Sequence, residues 1–255
     1  MHFRRALMIV ALASPLPCPG QGSAGTEANV EPRYVIDIPT AGMLPQAGVG
    51  LDVDFYQQGG LLVGVGVGIL DRLSIGIAYG GSGVIGDRKA DMNDAPGVQV
   101  KLRLFEESEA FPALALGFDS QGRDGWIDEL DRYRVKSPGF YAVLSRNYAW
   151  LGYFSIHGGV NYSMERGDGD KDVNFTTGIE KSIGNVIAVV AEYNLASNDS
   201  DREAIGKGRG YLTAGLRWST GGGLTLAMHF KDLLANARGS DSVNRTFRLE
   251  YVKFF

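Results

Sequence analysis

The feature that most constrains this chain is an alternation of apolar with polar or small side chains, restarting about twelve times after residue 47. "VQVKLRLF" sets Val98, Val100, Leu102 and Leu104 against Gln99, Lys101 and Arg103. "GLLVGVGVGIL" sets Leu61, Val63, Val65, Val67 and Ile69 against glycines, and "GVGLDVDFYQ" sets Leu51, Val53 and Phe55 against Asp52 and Asp54. A period of two is that of a β-strand with chemically different faces, and helical periodicity is nearly absent. Each run is about 8–13 residues long, the length of a membrane-crossing strand. Two architectures satisfy the pattern. In a soluble sandwich the apolar faces pack on one another; in a closed transmembrane barrel they ring the outside.

The connections favour the barrel. From Leu73 onward they alternate in length. The long ones are Gly81–Pro96, Gly122–Pro138, Arg166–Asp172 and Asn198–Gly210, with a shorter polar one at Asn236–Ser242; the short ones fall at Glu106–Phe111, Arg146–Ala149, Ser182–Asn185 and Thr220–Gly223. Outer-membrane barrels pair short periplasmic turns with long outer loops in this way. With an even strand count the last strand follows a long loop, as here. The first pair departs, because "QQGG" is short where the parity calls for a long loop.

Both ends of the chain fit the same reading. Arg4 and Arg5 precede an apolar stretch from Ala6 to Ala13, too short to span a bilayer, and small residues follow at Ser23 and Ala24. This is the layout of a secretory signal peptide, placed at 1–24. Residues 25–47 form an N-terminal periplasmic or lumen-plugging segment, and 48–255 the barrel. Cys18, the only cysteine, falls within the leader, leaving no disulfide or cysteine metal site downstream. The final run "TFRLEYVKFF" places Phe247, Leu249, Tyr251 and Phe255 on one face, a pattern resembling the C-terminal signal that bacterial barrel-assembly machinery reads; Lys253 departs from it, and near a membrane rim it can snorkel. A mean hydropathy of -0.06 does not oppose a barrel, since lipid-facing and lumen-facing residues cancel. A net charge of -4 with no basic stripe argues against nucleic acid as a partner.

Parity places Asp52, Asp54, Asp119, Glu180, Glu192 and Glu250 inside, with Lys101, Arg103, Arg217 and Arg248. A selective pore tends to show a ring of one sign. Mixed signs predict a salt-bridged filling or a narrow neutral pore, with Lys101 and Arg103 neutralising acids of other strands, Asp119 among them. Leu102, Leu104, Phe154, Ile156, Leu216 and Phe247 are expected to face lipid. His157 and His229 point inward, and Ser155 shares a face with His157; without a Gly-x-Ser-x-Gly these read as lumen lining, and the alternative is a barrel-embedded hydrolase of lipase or protease type, which would need a Ser–His pair in contact with an acid or amide. No catalytic residue, metal site or cofactor is assigned. "RGDGDKDVN" places Asp168, Asp170 and Asp172 at alternate positions without the glycine and distant glutamate of a calcium loop, and reads as a solvated hairpin loop. The glycines of "VGVGVG" sit within a strand with no helix following, so they leave lumen space for a side chain or a plug.

The stretch "VKLRLFEESEAFPALALGFDSQG" followed by "GFYAVLSRN", with the earlier "IDIPTAGMLP", resembles the YjbH-like family of outer-membrane barrels over roughly a quarter of the chain. The resemblance implies a barrel in the bacterial outer membrane, surrounded by its lipid, with exopolysaccharide secretion as its setting and polysaccharide-export components as partners. The chain is much shorter than the typical member.

Overall fold

The computed structural model describes residues 16–17, 31–201, 204–238 and 243–255. The proposed leader and its cleavage positions fall outside these, apart from a bridge joining Leu16–Pro17 to Tyr148–Ala149. Twelve strands follow in chain order: β1 (Gly48–Tyr56), β2 (Gly60–Leu70), β3 (Leu73–Ser82), β4 (Gly97–Phe105), β5 (Ala113–Asp119), β6 (Gly139–Ala149), β7 (Tyr153–Tyr162), β8 (Asn174–Ile183), β9 (Ile187–Asn194), β10 (Tyr211–Gly221), β11 (Leu224–Lys231) and β12 (Asn244–Phe254). Each pairs antiparallel with the next, and β12 pairs with β1, so the sheet closes without a free edge. In the closing pair Arg248 stands opposite Asp54 and Phe247 opposite Phe55.

Alternation decides what each strand shows to either side. From β2 to β12 one outward residue per strand is Val65, Ile77, Val100, Leu116, Leu144, Ile156, Ile179, Val189, Leu216, Met228 and Phe247, and all are exposed. The inward positions are instead buried and polar, among them Lys101, Asp119, Ser145, His157, Glu180, Glu192, Arg217, His229 and Arg248. A continuous apolar belt of this extent is not sustained in water, and a closed ring satisfies its backbone without water, so the belt faces hydrocarbon. Exposed aromatics mark both rims: Phe140, Phe175 and Phe247 at the long-loop end, Phe105, Trp150 and Trp218 at the other. The packed-sandwich alternative is thereby excluded.

Several connections differ from the sequence reading. Residues 146–149 belong to β6, with the turn at 150–152, and Ser182–Ile183 and Thr220–Gly221 close β8 and β10. The loop between β5 and β6 is built as a hairpin of Arg123–Ile127 and Arg132–Val135.

Candidate functional site

Residues 31–47 run through the middle of the ring. "YVIDIP" folds back on itself, with the Val35 amide donating to the Ile38 carbonyl (3.0 Å) and the Thr40 amide to the Arg33 carbonyl (3.1 Å). Val35, Ile36 and Ile38 pack with Val190 of β9, and Ala41 packs with Ala113, Ala115, Tyr141 and Val143 of β5 and β6. Side chains from β4, β6, β9, β10 and β12 all reach residues 33–42. Strands spread around a closed ring touch one short segment together only if that segment is inside it.

The plug is held by charges that meet its backbone. Lys101 Nζ donates to the carbonyls of Arg33 (3.1 Å), Thr40 (3.0 Å) and Gly42 (3.2 Å). Arg217 donates to the carbonyls of Tyr34 (2.9 Å) and Val35 (2.7 Å), and Arg248 to that of Ile36. Glu192 does the reverse: its carboxylate accepts from the successive amides of Ile36 (3.0 Å), Asp37 (2.9 Å) and Ile38 (3.1 Å). Three convergent N–H groups make an anion-binding concavity. An extended segment lacking its own ladder thus has its polar groups paired by the wall, as a buried backbone requires.

The ten charged residues picked out by parity all line this lumen; Asp54, Glu180, Arg217, Arg248 and Glu250 meet opposite charges on the wall, while the others take partners from the plug. Asp52 pairs with Arg33 of the plug, and Arg103 with Glu31. Asp54 accepts from Arg248 and lies 3.5 Å from Arg123 of the hairpin. Glu180 pairs with Arg217 at 2.8 Å, and Glu250 stands 3.9 Å from Arg248. Lys101 does not pair with Asp119. Its three bonds go to plug carbonyls, while Asp119 accepts from the Tyr34 hydroxyl (2.9 Å) and the Gln121 amide (2.8 Å). The expectation that Lys101 and Arg103 neutralise acids of other strands, Asp119 among them, fails because plug atoms take up these cations and stand between Lys101 and Asp119. The sequence reading also missed Lys231, which bridges Asp37 (2.7 Å) and Asp124 (3.1 Å). Lys231 shares the inward parity of His229, so that signal was present; Arg33, Asp37 and Asp124 lie in aperiodic segments with no such signal.

The β2 glycines admit the plug. A Cβ on Gly68 would lie 2.0 Å from the Pro45 carbonyl oxygen, and one on Gly66 would lie 3.3 Å from Leu44. Of the two spacings the sequence allowed, the contacts match the plug at Gly66 and Gly68, and a neighbouring side chain at Gly64, where a Cβ would meet Ala78 and Asp52 of the adjacent strands.

Above the plug the long loops form a second layer. The fully buried Arg132 donates to Asp168 and Asp199, at 2.6 Å each, and Lys136 donates to Asp168 at 2.8 Å. Asp170 accepts from the Ser200 amide at 2.9 Å. Asp168 and Asp170 are therefore clamped inside this layer, not solvated as the sequence suggested, because bases from the neighbouring loop reach Asp168 and loop amides reach Asp170. Among the described residues no group of three or more metal-ligating side chains converges. Glu165, in the β7–β8 loop, is raised above the usual carboxylate range by burial, while amides of Ser137 and Tyr133 work against that. A cavity of about 40 Å³ lies between plug and loops, lined by Asp37, Lys136, Asn174 and Tyr211 among others.

One lumen constellation has the residue types of a hydrolase. Ser145 Oγ lies 2.8 Å from His157 Nδ1, and His157 Nε2 lies 3.7 Å from Glu180 Oε1. The serine is not Ser155, whose hydroxyl donates to Asn147 instead. Ser145 Oγ accepts the Ala41 amide of the plug at 2.8 Å, and Glu180 is engaged by Arg217.

A closed, even-stranded antiparallel ring with an apolar outer wall, aromatic rims and a charged interior defines a transmembrane β-barrel of the bacterial outer-membrane type. No family model matches the chain, and no curated protein matches it. Solved structures similar to it include the KdgM porin (9% identity, 82% of this chain and 99% of that one, TM-score 0.46) and the NanC porin (9% identity, 81% and 99%, TM-score 0.43). An outer-membrane channel from Pseudomonas putida F1 is similar at 14% identity over 84% and 97%, with a TM-score of 0.43. The assignment of class rests on the strand pairing and the wall of this chain itself.

Proposed function

We propose that this barrel is an outer-membrane channel held closed at rest, with residues 31–47 as its plug, and that it passes a hydrophilic solute when the plug shifts. The observation that carries the reading is the mode of attachment. The plug backbone is held mainly by side-chain hydrogen bonds from the wall and by two small apolar clusters, so it can leave without unravelling the sheet. Water or a hydrated solute can replace these bonds one for one, each charge-assisted bond costing about 1.5–3 kcal/mol to exchange. A barrel serving only as a scaffold has no need of inward glycines that clear a path for a plug. The likeness to YjbH-like barrels supports a saccharide polymer as the cargo class and export components as partners. We read the protein as non-enzymatic, with Ser145 as an anchor.

Planar-bilayer recording tests the channel reading. Wild type should show small, rare openings, while Lys101→Met and a deletion of residues 31–44 should conduct more. A large, stable wild-type conductance, or an unaltered one in both variants, overturns the reading. Exopolysaccharide output unchanged in a strain lacking the protein would remove the saccharide assignment and leave the channel standing.

A further inference from the structure

The loop layer carries a cleft that the channel reading does not use. Its volume is about 370 Å³, within the range of small-molecule sites, and it is formed by the β3–β4 loop, the hairpin and the β7–β8 loop. Asp94, Trp126, Asp131, Tyr133, Ser137 and Glu165 line it, and no lysine or arginine does. Trp126 and Tyr133 meet edge to face with centroids 4.9 Å apart, an arrangement that fixes both rings. The hairpin is itself immobilised. Arg132, the residue before Tyr133, is fully buried in the clasp with Asp168 and Asp199, and alternation turns Tyr133 to the opposite face. The Glu165 carboxylate is set by the amides of Tyr133 (2.9 Å) and Ser137 (2.9 Å).

The charge pattern names the ligand class. Asp168 and Asp199 in the same loop layer are each taken up by a base. Among the described residues Asp94 and Asp131 enter no ion pair, and Glu165 is hydrogen-bonded by the amides of Tyr133 and Ser137, with the Arg132 charge acting on it from nearby. Three carboxylates around a rigid aromatic pair repel anions and attract a cation that also presents an apolar face. We infer that this cleft binds a protonated amino sugar: the ring lies against Trp126, and its ammonium and hydroxyls go to Asp94, Asp131 and Glu165. The site is independent of whether the lumen conducts.

The test uses the full chain in detergent, titrated with a glucosamine trimer, its fully N-acetylated counterpart and spermidine, followed by calorimetry and tryptophan fluorescence. The glucosamine trimer should bind saturably and perturb the fluorescence, with the other two at least about fivefold weaker. Trp126→Ala should abolish binding, and Asp94→Asn with Asp131→Asn should weaken it by roughly fivefold and reduce its salt dependence. Heat-modifiability on a gel confirms that each variant barrel is closed. Trp126→Phe keeps a ring and should bind while losing the fluorescence change. Equal binding of the acetylated trimer overturns the charge selection, and equal binding of spermidine overturns the sugar. No saturable binding into the millimolar range, or full binding by folded Trp126→Ala, overturns the site.

Discussion

At the scale of single residues, Lys101 shows how a plug changes the meaning of a lumen charge. A lysine in a β-barrel lumen is ordinarily matched to a carboxylate on the next strand, and here a buried ammonium is matched to three plug carbonyls. Lys101→Met should leave those carbonyls without a donor and destabilise the plugged state by about 2–5 kcal/mol, read from denaturant unfolding and from raised conductance. A double-mutant cycle separates the partners. Coupling between Lys101 and Asp119 should stay under about 0.5 kcal/mol, whereas Tyr34 and Asp119, joined at 2.9 Å, should couple by about 1–3 kcal/mol. The reverse ranking would restore the strand-to-strand pairing. Ser145→Ala removes the acceptor of the Ala41 amide and should cost about 1 kcal/mol. Labelling of Ser145 by a serine-directed fluorophosphonate in a plug-deleted barrel would instead show an activated nucleophile.

At the scale of elements, the two faces of a strand make separate demands. Leu216 of β10 is half exposed on the outer wall, and Leu216→Arg should cost about 2–4 kcal/mol in lipid if it lies near the midplane. Near-neutral behaviour of that change together with Ile156→Arg and Ile179→Arg would contradict a lipid-facing belt. On the inner face of β2, Gly68→Val places side-chain atoms where the Pro45 carbonyl oxygen and the Leu44 carbonyl oxygen stand, 2.0 and 2.6 Å from the first added carbon. The strand tolerates valine well, so the barrel should still form, with the plug displaced. Protease cleavage within residues 31–47 and a larger conductance are the expected readouts; a folded variant with wild-type protection would show that Gly68 does not admit the plug. In the loop layer Arg132 is the residue that joins Asp168 to Asp199, and Arg132→Met leaves both without its guanidinium. The loops should open by about 3–5 kcal/mol, seen as faster amide exchange across 163–173 with the strand amides unaffected.

At the scale of the molecule, the chain is closed twice, by a plug in the lumen and by clasped loops over one mouth. The amino-acid sequence by itself determined the ring. A period of two repeated in runs of membrane-crossing length, with alternating short and long connections, is compatible with few other folds, because each apolar face must find lipid or another sheet. It also determined which way side chains such as Lys101, Glu192 and Arg217 point, since in a strand parity fixes direction. Partners were another matter. Asp52, Arg103 and Lys101 meet residues 31–42, which have no periodicity to place them, and such a segment gains its conformation only from the wall that surrounds it. Asp168 looked solvated because nothing local shows that Arg132, 36 positions earlier, folds back over it. Parity is a property of neighbours along the chain and is therefore written in the sequence. Which charges meet across a lumen depends on what fills it, and only the closed tertiary structure decides that.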